Sequence, residues 1–104
     1  MTVIDELLRR AESVADRLGV VGPRLAARDS ESATTALNDI RGVLQQLADL
    51  GADAEGRERR PVPVLGAHAL GDQLRVLVQD VAAAEQSRQI AAALAALQAL
   101  AARI

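Results

Sequence analysis

The sequence predicts an all-α fold, a small four-helix bundle in up-down-up-down order. Three observations carry that prediction. Apolar residues recur at i, i+3, i+4 and i+7, the spacing of one helical face. Glycine, proline and charge runs divide the 104 residues into four such stretches of similar length. Half the residues are apolar, enough to close one core, so residues 1–104 read as a single domain.

The first stretch carries Ile4, Leu7, Leu8, Ala11, Val14, Ala15 and Leu18 on one face. Thr2 with Asp5 forms a capping box at its start and Gly19 offers a stop, giving helix 1 over about residues 3–18. Pro23 opens at most one short turn in the connection that follows. Helix 2, about residues 30–50, can be capped by Asp29 or Ser30. It is striped by Ala33, Ala36, Leu37, Ile40, Val43, Leu44, Leu47 and Leu50, with Gly51 as its end. Gly42 lies mid-helix, where a close helix–helix contact is the expected reason for it. Residues 52–63 are polar, charged and interrupted by Pro61 and Pro63, which predicts an exposed, mobile linker.

The last forty residues admit two readings. From Ala67 onward there is no proline and Gly71 is the only glycine. A single helix over 67–104 would give a three-helix fold with a long C-terminal arm. Phase favours a break. Leu70, Leu74, Leu77, Val78 and Val81 form one stripe, and Ile90, Leu94, Leu97, Leu100 and Ile104 another. On a continuous helix those stripes point roughly 160° apart. A turn near Glu85–Ser87 brings both into one core, with helices over 66–84 and 87–104 and Ser87 as a cap.

Composition narrows the chemistry. The chain has no Phe, Tyr, Trp, Cys or Lys, and one histidine, while Ala and Arg are abundant. A GC-rich bacterial genome is the expected source of that bias. No aromatic platform exists for stacking single-stranded nucleic acid. No thiolate, disulfide, cysteine-type zinc site or Schiff-base lysine is possible. A net charge of −2 argues against a general nucleic-acid binder. Asp5, Glu6, Arg9 and Arg10 interrupt any signal-peptide core. No apolar run reaches the roughly 20 residues of a membrane span. The expectation is a cytoplasmic protein without cofactor or metal.

His68 is the one residue that suggests reaction chemistry. A histidine on a bundle helix is the setting of phosphorelay transfer, where imidazole takes and gives a phosphoryl group. Histidine phosphotransfer domains carry Lys and Gly at the third and fourth positions after the histidine, where this chain has Gly71 and Asp72. Ala69 stands where kinase dimerisation helices place an acid. The plainer expectation is a solvated histidine paired with Asp72 one turn on. His68 and Asp72 make two ligands on one helix, fewer than a transition-metal site needs. No Gly-x-Ser-x-Gly or phosphate-binding glycine loop occurs. The Arg57-Glu58-Arg59-Arg60 cluster is neutralised by Asp53, Glu55 and Glu58, so it reads as a solvated loop.

Helix 4 is the strongest positive signal. From Ile90 to Ala102 its only polar side chain is Gln98. A helix apolar on all sides is usually buried on all sides. Its small residues Ala92, Ala95, Ala96 and Ala99 would let another backbone approach closely. The expected function is therefore a non-catalytic protein–protein interaction module, pairing with a second copy or a helical partner through that face. The alternative is a phosphotransfer-type signalling bundle using His68.

Overall fold

In the computed structural model, which describes residues 2–104, four helices pack together and no strand occurs among the described residues. Helix α1 spans Val3–Ala26, α2 Glu31–Glu55, α3 Leu70–Ala84 and α4 Ser87–Arg103. A single 3-10 turn, Ala67–Ala69, leads into α3. The four-helix bundle expected from periodicity is what the chain forms.

Local chemistry sets the helix ends, and two of the expected stops are not used. The Thr2–Asp5 capping box forms in both directions, at 3.1 Å each way. Gly19, however, does not end α1. Gly22 and Leu25 continue the spacing of Leu18, and the helix runs through Pro23 to Ala26. Pro23 is tolerated because the carbonyl it leaves unbonded belongs to exposed Gly19, where water can reach it. In α2 the Ser30 hydroxyl accepts the Ala33 N–H. Gly51 is buried inside the helix, because Ala52 to Glu55 contain no breaker. The stop is Gly56, left-handed at φ 68°. There the Arg57 N–H bonds the Ala52 carbonyl and the Gly56 N–H bonds that of Asp53, a Schellman ending.

The chain breaks between α3 and α4 rather than forming one helix over 67–104. Glu85 takes the left-handed conformation, φ 54° and ψ 32°, that a glycine would usually supply. Gln86, not Ser87, is the cap residue of α4, and it makes no side-chain cap bond.

The direction of the helices differs from the expected alternation. Gly22 lies against Ala67 and Leu70, and Gly71 lies against Ala15, so α3 runs antiparallel to α1. Gln73 sits beside Arg41 and Gln45, and Val81 beside Gly51, so α3 runs parallel to α2. Val3 and Ile4 lie beside Ile90 and Leu94, Arg17 bonds the carbonyls of Ala101 and Ile104, and Arg103 pairs with Asp39 near the start of α2. Helix α4 is thus antiparallel to α2 and parallel to α1. The order is up-down-down-up. The physical reason is the linker, long enough to run back along α2 before α3 begins. It is exposed, as expected, and side-chain bonds tie it to the bundle. The Gln45 carboxamide accepts the Val62 N–H at 2.8 Å and donates to the Arg60 carbonyl at 3.0 Å. Gln73 donates to the Pro63 carbonyl and Arg41 to that of Leu65.

Helices α3 and α4 each pack against both α1 and α2, while contacts within the α1–α2 pair and the α3–α4 pair are sparse. The core lies between the two pairs. Leu7, Leu18, Leu44, Leu47, Leu70, Leu74, Leu97 and Leu100 are fully enclosed in it, and it contains no polar side chain among the described residues. Leu8, one position off the stripe, is exposed instead.

The glycines separate into those the packing requires and those it does not. A Cβ on Gly71 would stand 2.6 Å from the Ala15 carbonyl oxygen, and one on Gly22 2.8 Å from that of Ala67. Gly42, expected at a close contact, is exposed and faces open space. Gly71→Ala should therefore destabilise the fold by about 1–3 kcal/mol through overpacking. Gly42→Ala should stabilise it by up to about 1 kcal/mol through helix propensity. Urea denaturation of both variants checks the opposite signs.

Candidate interaction surface

Helix α4 divides its alanines between two environments. Ala93 and Ala96 are buried in the chain's own core with Ile90, Leu97 and Leu100. Ala92 is half-buried, and Ala95 and Ala99 are exposed. The four alanines expected to share one outward face therefore do not share it. Ala96 packs inward, because α4 sits between α1 and α2 and needs small residues to approach both. The outward face holds Ala91, Ala95, Gln98, Ala99 and Ala102.

That face continues into a shallow groove of about 660 Å³ between α4 and the start of α1. Val3, Ile4, Ile90, Leu94 and Ala95 line it, with Gln98, Ser87 and Glu85 at its rim. Val3, an apolar side chain, is 54% exposed there. Between Arg88 and Arg103 nothing on α4 carries charge.

His68 stands apart from this surface. It is exposed, in the turn before α3, with its ring folded against Gly66. The pairing expected with Asp72 is absent. Asp72 bonds Arg75 at 2.9 Å, and the same guanidinium holds Glu12 at 2.6 Å and Asp16 at 2.7 Å. The hydrogen bond to Glu12 chiefly raises the Arg75 pKa further. The network therefore ties α3 to α1, and among the described residues no carboxylate bonds the imidazole. Among the described residues no three His, Asp or Glu side chains converge as a metal site.

The arginine-rich linker is neutralised, as expected. Arg59 pairs with Asp53 at 2.7 Å and Arg57 with Glu55 at 2.5 Å. A second groove, about 590 Å³, runs between this linker and α3, lined by Pro61, Val62, Pro63, Leu65, Val76 and Leu77 among others. Its supports carry little signature in the sequence. Gln45 and Gln73 look like ordinary polar positions on α2 and α3. Only their spacing beside the stripes Leu44–Leu47 and Leu74–Leu77 hinted that they face the linker.

No protein-family model, curated protein sequence or solved structure matches this chain. No helix among the described residues is long and apolar enough to cross a membrane.

Two outcomes follow from these bonds. The Gln45 carboxamide makes two bonds to the linker backbone, worth about 1–3 kcal/mol together. Gln45→Leu should speed hydrogen exchange at the Val62 amide about tenfold or more, measurable by NMR. Hydrogen bonds from Thr2 lower the Asp5 pKa, and those from Arg59 lower that of Asp53. Their contribution to stability is present above the ordinary carboxylate range and lost as pH falls through the lowered values. The Asp5→Asn, Asp53→Asn double variant should accordingly show a flatter loss of stability below about pH 4 than the parent chain. Denaturant titrations across that range measure the difference.

Proposed function

We propose that this bundle is a non-catalytic interaction module that associates with a second copy of itself through the outward face of α4, and that it acts in the cytoplasm. The observation that carries the reading is the uncharged surface formed by Ala91, Ala95, Gln98, Ala99 and Ala102, continuous with the groove holding exposed Val3. The exposed faces of α1 and α2 carry charge, Glu12 and Asp16 on the first and Asp39 on the second. A two-fold pairing of α4 with α4 meets no charge between Arg88 and Arg103 and lets the two backbones come close. The polar groups with defined geometry, Arg75, Gln45, Gln73 and Arg41, support a scaffold reading, since they hold helices or the linker in place.

Sedimentation equilibrium tests this directly. The parent chain should be dimeric at micromolar concentration. Ala95→Glu with Ala99→Glu should weaken association by at least tenfold while leaving helicity intact, since Glu is nearly as good a helix former as Ala and both positions are exposed. A parent chain that stays monomeric at high micromolar concentration would sink the proposal.

A further inference from the structure

The core of this protein lies almost wholly between two helical hairpins, and that has a consequence for how two copies can meet. Helices α1 and α2, joined by the short connection 27–30, touch each other little; α3 and α4, joined at Glu85 and Gln86, touch each other less. Each of α3 and α4 packs against both members of the other pair. Leu70, Leu74, Val78 and Val81 on one hairpin, and Leu7, Leu18, Leu44 and Leu47 on the other, are enclosed only when the hairpins meet. Neither hairpin has a core of its own.

A single segment, residues 56–66, joins the two halves. It begins at left-handed Gly56 and ends at Gly66, and between them Pro61 and Pro63 favour an extended course. Its attachment to the bundle is thin. Val62 is half-buried, while the residues on either side of it are exposed. The bonds that hold it, from Gln45 and Arg41 on α2 and Gln73 on α3, join side chains to its backbone. Straightening this segment gives up those few contacts and leaves both hairpin faces ready to close on a partner.

We infer that the chain pairs with a second copy by exchanging its α3–α4 hairpin. The α3–α4 hairpin of one copy docks on the α1–α2 hairpin of the other, and residues 56–66 cross between the two lobes. Every core contact and every ion pair between hairpins, Arg75 with Glu12 and Asp16 and Arg103 with Asp39, is then remade between chains. This inference stands on the division of the core and not on the outward face of α4, so the two can fail separately.

The experiment uses Glu12→Cys with Arg75→Cys in the 104-residue chain, which has no cysteine of its own. The chain is unfolded, refolded at low and at high concentration, and treated with a short bis-maleimide. Exchange predicts intrachain links after dilute refolding. It predicts a species of doubled mass with interchain links after concentrated refolding, with the interchain fraction rising at least tenfold. That species should persist when Ala95→Glu and Ala99→Glu are added. A variant lacking residues 57–63 adds a second reading. Its four remaining linker residues reach about 17 Å, short of the roughly 21 Å of helix rise between Glu55 and the level of Arg41. It should be a helical dimer with interchain links alone. If the 104-residue chain yields only intrachain links at every concentration, the inference is wrong, whether or not the shortened variant folds. A dimer that carries only intrachain links likewise overturns exchange and leaves the α4 contact standing.

Discussion

Everything in this bundle is arranged around the close approach of α1 and α3. Two glycines make it possible, one on each helix. Gly71 meets the backbone of Ala15, and Gly22 meets that of Ala67. With no Cβ at either place, the helices draw near enough for Leu18 and Leu70 to be fully enclosed. Arg75 then reaches across to Glu12 and Asp16 on the far side of the contact. These ion pairs are largely solvated and contribute little to stability. Their effect is on register: the α1–α3 pairing satisfies several carboxylates with one guanidinium, and a shift by one turn would strand them.

That contact dictates the topology. An α3 antiparallel to α1 must begin at the end of the bundle where α1 finishes and α2 starts. The chain leaves α2 at the opposite end, at Gly56, and so has to travel back. The linker is thus a structural element with a route to follow. Gln45 holds it as a neighbouring strand would, offering one acceptor and one donor to Val62 and Arg60. A carboxamide is suited to this, since it carries both functions on one rigid plane. A carboxylate there would satisfy the Val62 N–H but face the Arg60 carbonyl with no proton to give.

How much of this was legible in the sequence follows from what each residue type can signal. Large aliphatic residues speak plainly. The stripes of Leu, Val and Ile on all four helices became the core, and the phase shift between Val81 and Ile90 marked the α3–α4 break without a glycine to announce it. Glycine speaks ambiguously. Gly19 and Gly51 look like stops but lie inside helices, Gly56 is a true stop, and Gly42 is merely tolerated. The same residue serves as terminator, as spacer and as nothing in particular, and only the neighbouring helix decides. Direction was not legible at all, because periodicity gives a helix its face but no sense of up or down. A linker of this length permits both orders.

Alanine is the hardest residue to read, and the candidate surface depends on it. A leucine on a helix is either buried or conspicuous, whereas an alanine adds helix propensity everywhere and loses little by exposure. In α4 the sequence could show only that charge is missing. The structure separates two causes of that absence. Ala93 and Ala96 are small because α1 and α2 crowd them, and a larger side chain there would push the bundle apart. Among the described residues, no neighbour encloses exposed Ala95 and Ala99. Packing within one copy accounts for the first pair and leaves the second unconstrained. Whatever keeps that face uncharged acts from outside the fold, either through composition or through a partner, and a pair of glutamates at those two exposed positions distinguishes them.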